Sequence, residues 1–126
     1  MNKLPQVLVV GATGYLGLYI VKQLQCQQIN FVALARDKQK LLSHGVPKVQ
    51  IFEALATDPA TLKGICEGID VVISCMGITR QRDGLKYMDV DYQANMNILL
   101  EAEQAGVDKF IYTRYHSRCK IQQAVR

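Results

Sequence analysis

The sequence lacks the features of a membrane protein and of a metal site. It has no tryptophan, only two histidines, and no apolar run near the roughly 20 residues of a membrane-spanning helix. The four cysteines, Cys26, Cys66, Cys75 and Cys119, include no Cys-x-x-Cys pair. We therefore expect scattered buried thiols, with neither a membrane span nor a metal centre.

The first residues also lack the pattern of a signal peptide. The opening stretch MNKLPQVLVV has a short apolar run and no small-residue cleavage site. A cytoplasmic protein is the expectation that follows.

The body of the chain has no excess of either charge. The last 13 residues hold four Lys or Arg and no acid, so they carry the whole net charge of +4. Nucleic-acid-binding domains usually show a basic stripe with stacking aromatic side chains on one folded face. No such stripe is visible in residues 1–113, so we expect no nucleic-acid partner. Residues 114–126 are interpreted as a basic tail, either helical or disordered.

Apolar segments of strand length alternate with segments of helical periodicity. The expected strands are Val7–Val10, Phe31–Ala35, Val49–Phe52, Asp70–Cys75 and Lys109–Thr113. The expected helices cover about 14–26, 37–43, the segment from Asp58 to Gly68, and 86–105. Asp37 and either Thr57 or Asp58 are the expected N-caps. This alternation predicts one α/β domain over residues 1–113: a doubly wound parallel sheet of about five strands, in the order 3-2-1-4-5, with helices on both faces.

Three glycines stand where the first strand ends and the first helix begins. Gly11, Gly14 and Gly17 form a GxxGxxG motif. In this context the first glycine permits a tight turn, the second lets a pyrophosphate approach the backbone, and the third lets the helix pack closely. Free N–H groups at the start of a helix favour an anion. The motif predicts a dinucleotide cofactor, and a glycine-rich turn without a ligand is the alternative.

The residue after the second strand bears on which dinucleotide would bind. NAD-binding domains usually place an acid there, on the ribose 2′-hydroxyl. Here the position holds Arg36, whose guanidinium suits a phosphate, and Lys40 follows one helical turn later. The pattern favours NADP(H), while the neighbouring Asp37 keeps NAD(H) as the alternative.

Four segments together resemble the extended and atypical short-chain dehydrogenase/reductases: VLVVGATGYLG, ALARD, DVVISCMG and VDYQANMNILLEAEQAGVDKFIY. The similarity covers about residues 5–112 and points to the NmrA-like and nucleoside-diphosphate-sugar-epimerase-like NAD(P)-binding Rossmann domains. It implies that a turn wraps the pyrophosphate, formed by Ala12, Thr13, Gly14, Tyr15 and Leu16. It also implies that three residues lie near the adenosine and nicotinamide riboses: Cys75, Met76 and Gly77. Asn97 matches a helix asparagine that supports the strands beside the active site, with an exposed helix position as the alternative.

One departure from the family pattern concerns the adenine. Family members often carry an Asp–Leu pair after the third strand, and that Asp binds the adenine amino group. Alignment on TDPATL puts Leu55 in place of the Asp. A leucine side chain can pack on adenine but cannot accept its N–H, so a backbone contact is the remaining polar option.

A second departure concerns catalysis. Catalytic members carry a Tyr-x-x-x-Lys motif after the fifth strand, in which the lysine lowers the pKa of the tyrosine. Here Tyr115 has Cys119 at +4 and Lys120 at +5, and the sequence contains no Tyr-x-x-x-Lys. The resemblance leaves two alternatives. One is the cofactor domain of an oxidoreductase or epimerase whose catalytic segment is missing from this chain. The other is a non-catalytic NADP-sensing regulatory or structural protein.

The fifth strand would leave one edge of the sheet with unpaired backbone groups. We therefore expect either the basic tail to cover that edge or two copies of the chain to form a homodimer through it. The sequence assigns no catalytic residue and leaves the substrate open.

Overall fold

The structure, a computed structural model, describes residues 5–75, 84–114 and 120–125. Six strands and three α-helices follow one another along the chain: β1 (Val7–Val10), α1 (Tyr15–Cys26), β2 (Phe31–Ala35), α2 (Lys38–Ser43), β3 (Ile51–Glu53), β4 (Val71–Ser74), α3 (Gly84–Ala105), β5 (Lys109–Arg114) and β6 (Lys120–Val125). Short 3-10 helices precede and follow β3, at Lys48–Gln50 and Pro59–Leu62.

The strands form one sheet in the order β3-β2-β1-β4-β5-β6. Strands β1 to β5 are parallel, and Val10 of β1 lies opposite both Leu34 of β2 and Ser74 of β4. These three strands therefore end at the same edge. The predicted doubly wound sheet and its order 3-2-1-4-5 are confirmed. The strand order reverses beside β1, and ligands of such sheets bind in the crevice at that point.

Alternating strand residues divide the core into two layers, because successive side chains point to opposite faces of a sheet. Val9 of β1 belongs to one buried cluster, with Val21 of α1 and Leu41 of α2. Val10 belongs to the other, with Ile98 of α3. The predicted helices on both faces are thus present, and each apolar face of the sheet is covered.

The basic tail contributes a strand rather than the helix considered above. Strand β6 pairs antiparallel with β5, from Lys109 opposite Val125 to Arg114 opposite Lys120. The sheet has six strands for this reason, one more than expected. Unpaired N–H and C=O groups on an edge strand are a template for further pairing, and the tail supplies that pairing within the chain.

The prediction of a helix between Asp58 and Gly68 is wrong. Asp58 does cap a helix, since its carboxylate accepts a hydrogen bond from the Ala60 N–H at 3.1 Å, but only the 3-10 helix follows. Gly64 then adopts a left-handed φ of 81°, which a continuing helix does not tolerate. Three apolar side chains of this segment are nevertheless buried: Leu62, Ile65 and Cys66.

The orientation of α3 is testable at two apolar residues two positions apart. Ile98 is 0 % exposed and Leu100 is 51 % exposed. Ile98→Ala should lower the free energy of unfolding by about 2–4 kcal/mol, because it removes buried methyl groups and leaves a cavity. Leu100→Ala should change it by less than about 1 kcal/mol. Urea unfolding followed by circular dichroism measures both, and equal losses would contradict the orientation of the helix.

The thiol of Cys66 sits in the layer beneath α3. Burial, with a smaller contribution from the Glu101 carboxylate, raises the pKa of Cys66 from 9.0 to about 12. The folded protein therefore keeps the thiol protonated well above the pH at which the unfolded chain loses that proton.

This difference makes stability fall at high pH. Above about pH 9 the unfolded state binds fewer protons than the folded state, so the Cys66 contribution to the free energy of unfolding decreases by up to about 1.4 kcal/mol per pH unit until the folded pKa is reached. Cys66→Ala should remove this part of the slope between pH 9 and 11. The expectation of a buried thiol is wrong for Cys26, which lies on the exposed surface of α1, so Cys26→Ala should retain the slope. Identical slopes for both variants in urea unfolding would show that the folded thiol is not held protonated.

Candidate dinucleotide-binding site

The turn between β1 and α1 is shaped by the first glycine of the motif. Gly11 has a φ of 80°, a left-handed conformation that side chains disfavour. Its carbonyl accepts a hydrogen bond from the Gly14 N–H at 3.1 Å, and α1 begins at Tyr15. Ala12 is buried in the layer below the turn. The chain thus reverses within three residues and brings the start of a helix to the end of the central strand.

The third glycine allows a contact that no other residue would permit. A Cβ added to Gly17 would lie 2.0 Å from the Gly11 carbonyl oxygen and 2.9 Å from the Ala12 Cα. Both neighbours are backbone atoms and cannot move aside cheaply. Gly17 therefore packs α1 against the β1–α1 turn itself, which is a closer approach than the helix-to-sheet packing expected from the sequence.

The second glycine faces outward. A Cβ on Gly14 would meet only the Gly11 oxygen, at an ordinary 3.5 Å, so the protein alone does not require glycine there. Thr13 and Tyr15 on either side are exposed, Tyr15 to 86 %. The start of α1 has no side-chain cap and no acidic residue in its first turn. Its N–H groups are thus left to an external partner, and an anion is the partner that helix starts favour.

The charged residues Arg36, Asp37 and Lys40 after β2 differ in what their side chains do. Arg36 is exposed at the end of β2, and Lys40 is exposed on α2. Asp37 is the N-cap of α2, since its carboxylate accepts a hydrogen bond from the Gln39 N–H at 3.0 Å. The one acid next to Arg36 in the chain is therefore bound to backbone.

Leu55 lies after β3, with its side chain 41 % exposed. Its N–H donates to the Thr61 hydroxyl oxygen at 3.1 Å. The Thr61 hydroxyl in turn lies 2.9 Å from the Leu55 carbonyl oxygen and 2.8 Å from that of Asp58. The Leu55 N–H is therefore engaged within the protein, and what Leu55 presents outward is an apolar side chain.

Cys75 follows β4 directly and extends its pairing with β1. Its N–H donates to the Val10 carbonyl at 2.8 Å, and its side chain is half-buried. One residue earlier, the Ser74 hydroxyl donates to the Asn95 side-chain oxygen of α3. Met76 and Gly77 lie outside the described residues.

Asn97 is 5 % exposed, so the exposed-helix alternative is wrong. Its side-chain N–H donates to the Ala56 carbonyl at 3.0 Å, and its oxygen accepts from the Gln93 amide at 2.9 Å. Asn97 thereby joins α3 to the segment after β3. Asn95 joins the same helix to the end of β4.

The structure brings the predicted residues together at one edge of the sheet. Gly11, Arg36 and Cys75 follow the ends of three neighbouring strands, and Leu55 follows the fourth, β3. Sequence reasoning missed Thr61 and Glu53, whose carboxylate accepts from the Lys38 N–H at 3.1 Å. Glu53 acts through a bond to backbone 15 residues away, and Thr61 acts through bonds within its own loop. Neither bond has a sequence pattern that predicts it.

The described parts of the chain contain neither a membrane-spanning helix nor a cluster of metal ligands. There, no helix is both long and apolar enough to cross a membrane. Within the same residues, no three His, Cys, Asp or Glu side chains form a group that could hold a metal ion.

The parallel sheet with a glycine turn at its switch point defines a Rossmann-type dinucleotide-binding domain. Residues 11–119 match the family model described as NAD(P)H-binding. The chain therefore belongs to the NAD(P)H-binding domain family.

Two curated relatives give the scale of the similarity. The photosystem II assembly factor Ycf39 of Synechocystis is 34 % identical over 107 residues, covering 85 % of this chain and 32 % of that protein. The chloroplastic divinyl chlorophyllide a 8-vinyl-reductase of Arabidopsis thaliana is 29 % identical over 127 residues, covering 87 % of this chain and 30 % of that protein. The chain thus spans about a third of the length of these relatives.

Solved structures share the fold at lower identity. A UDP-Glc/GlcNAc 4-epimerase from Campylobacter jejuni has a TM-score of 0.72 at 20 % identity, covering 86 % of this chain and 36 % of that one. An NADPH-dependent quinone oxidoreductase from Escherichia coli, solved with NADPH, has a TM-score of 0.65 at 22 % identity, covering 84 % of this chain and 35 % of that one.

Alanine at two glycines should separate folding from cofactor binding. Gly17→Ala should lower the free energy of unfolding by about 1–3 kcal/mol or more, since the added methyl group overlaps backbone atoms. Gly14→Ala should leave stability within about 1 kcal/mol and weaken NAD(P)H binding, because its methyl group points to the open side of the turn. Urea unfolding and fluorescence titration measure the two effects. A Gly14→Ala variant that binds dinucleotide as tightly as the parent chain would contradict a ligand on that side.

Proposed function

We propose that this chain is the NADP(H)-binding part of a short-chain dehydrogenase/reductase-like oxidoreductase or epimerase. The observation that carries the proposal is the pairing of an uncapped helix start at the GxxGxxG turn with an exposed arginine at the end of the next strand. The first suits a pyrophosphate and the second suits a 2′-phosphate. When bound, the cofactor supplies hydride transfer to or from a substrate.

The pyrophosphate would lie on the turn from Gly11 to Gly17. Gly14 offers a surface without a side chain, and the first N–H groups of α1 have no side-chain acceptor. The absence of an acid from the first turn of α1 also favours an anion there, because no carboxylate repels it. Tyr15 and Leu16 would contribute backbone N–H groups, and Ala12 would hold the turn from below.

The preference for NADP over NAD rests on the residues after β2. Binding to the ribose 2′-hydroxyl of NAD favours an acceptor, and Asp37 is the nearest acid in sequence. One oxygen of its carboxylate accepts from the Gln39 N–H, which orients the side chain toward the start of α2. Arg36 and Lys40 remain exposed, and both carry positive charge. A guanidinium binds a phosphate through charge-assisted hydrogen bonds, which are stronger than neutral ones.

The adenine would be held mainly by apolar contact. Leu55 presents an exposed side chain, while its N–H is bound to Thr61. Affinity for the dinucleotide would then depend on the phosphates more than on the adenine amino group. Cys75, followed by Met76 and Gly77, would lie toward the riboses.

A non-catalytic NADP-binding regulatory or structural protein is the second candidate. It is favoured by one observation, that the tyrosine after β5, Tyr115, has Cys119 at +4 and not the lysine of a Tyr-x-x-x-Lys motif. Of the two relatives, one is named as a reductase and the other as an assembly factor. NADPH oxidation assayed in a longer form of the protein, if one carries the motif, would favour the enzyme.

Cofactor choice is testable at Arg36. Arg36→Ala should weaken NADPH binding by about 10- to 100-fold, the range expected for losing hydrogen bonds to a charged group. NADH binding should change by less than about twofold, because NADH has no 2′-phosphate. Lys63→Ala removes an exposed cation from the connection before β4 and should affect neither. Equal losses for NADPH and NADH in calorimetric titrations would reject the assignment.

A further inference from the structure

Glu53 ends the edge strand β3 and lies directly opposite Ala35, the last residue of β2. Its side chain crosses to the loop that follows β2, where its carboxylate oxygen accepts from the Lys38 N–H at 3.1 Å. The bond joins residues 15 positions apart and is the link between β3 and the start of α2. The carboxylate thus reaches the segment that carries Arg36.

The Arg36–Asp37 segment is held on both sides. Before it, Ala35 is buried and its carbonyl accepts from the Ala54 N–H at 3.0 Å. After it, the Lys38 N–H is bound by Glu53. Two residues between fixed points have little freedom, so the position of Arg36 depends on both anchors.

The helix that follows is too short to fix its own start. Helix α2 has six residues and one fully buried side chain, Leu41. Its first N–H groups are taken by two carboxylates, that of Glu53 at Lys38 and that of Asp37 at Gln39. This start of a helix is therefore filled from within the chain, and only the cations beside it are left for a ligand.

We propose that Glu53 is a positioning residue for the 2′-phosphate site, which holds the backbone at Lys38 so that Arg36 is presented to the cofactor. This inference rests on the proposed function, since it concerns the same phosphate. Glu53 itself touches no cofactor. A carboxylate is an unusual neighbour for a phosphate site, because its charge opposes the phosphate. Its exposure lets solvent and salt screen that repulsion, whereas the hydrogen bond to the backbone acts locally.

Three substitutions separate position from charge. Glu53→Gln removes the charge and keeps an oxygen at the same reach, so NADPH binding should stay within about twofold of the parent chain. Glu53→Asp keeps the negative charge, but its side chain is one methylene shorter. Glu53→Ala removes both the charge and the hydrogen-bond acceptor. Each of these two should weaken NADPH binding by about tenfold, with NADH binding nearly unchanged.

A matched control and a folding measurement accompany the titrations. Glu67 is an exposed glutamate in the connection that leads to the amino end of β4, away from the phosphate edge. Glu67→Ala should leave both affinities unchanged. Thermal unfolding shows whether each variant is folded at the titration temperature. If Glu53→Ala is unfolded there, the NADPH affinities of Glu53→Gln and Glu53→Asp give the decisive comparison.

Four outcomes would overturn the inference, and the last of them would also overturn the proposed function. Equal losses of NADPH and NADH binding in Glu53→Asp would show a general structural role. Tighter NADPH binding in Glu53→Gln, with no change in Glu53→Asp, would show that repulsion dominates. Unchanged affinities in every Glu53 variant, while Arg36→Ala still loses NADPH selectively, would reject the role of Glu53 and leave the proposed function standing. A parent chain that does not prefer NADPH, with an unselective Arg36→Ala, would instead reject both.

Discussion

The close approach of Gly17 to the Gly11 carbonyl is the constraint on which the rest of this structure depends. There is no room for a Cβ at Gly17, because it would fall 2.0 Å from that oxygen. Only this contact lets α1 begin directly above the end of the central strand. It also leaves Gly14 facing outward and places the N–H groups of the first helical turn at the sheet edge. A packing requirement inside the protein and a binding surface outside it therefore arise from the same turn.

The two helices that start after β1 and β2 show how charge is distributed along this edge. Helix α1 has no side-chain cap and no acid in its first turn. Helix α2 has both of its first N–H groups bound by carboxylates, from Asp37 and Glu53. One helix start is thus open to an anion and the other is closed, with Arg36 and Lys40 exposed beside it. A dinucleotide with a 2′-phosphate would suit this arrangement, because its pyrophosphate could lie at the start of α1 and its 2′-phosphate beside Arg36 and Lys40.

The sequence was sufficient where local pattern decides structure. Continuous apolar runs located the central strands, because a strand buried on both faces needs apolar residues throughout. The helix predicted between β3 and β4 was wrong because the spacing of Leu62 and Ile65 fits both a helix and a series of turns. The left-handed conformation of Gly64 is compatible only with the turns. Strand β3 begins two residues later than expected, at Ile51, since Lys48–Gln50 form a 3-10 helix. The tail gave no strand pattern of its own, and its pairing depends on the open edge of β5.

The candidate site was predictable in its glycines and in Arg36, which stand at fixed places relative to strand ends. Glu53, Thr61 and Asn95 were not. Glu53 and Asn95 act through bonds to residues distant in sequence, and the bonds of Thr61 depend on the conformation of the turn after β3. Asn97 was expected to support strands near the site, and its bond to the Ala56 carbonyl specifies which segment it holds. The sequence therefore located the groups that would meet a cofactor, while the groups that hold them in place required the structure.

The central claim is that a dinucleotide binds at the carboxyl edge of the sheet, over the β1–α1 turn. Titration of the 15N-labelled chain with NADPH, followed by amide NMR spectra, tests this most directly. The largest shifts should fall on Gly11–Gly17, with further shifts at Arg36 and Cys75, and little change at Gln6 and Asp70 on the opposite edge. Largest shifts at Gln6 and Asp70, or no saturable shifts at the glycine turn, would contradict the claim.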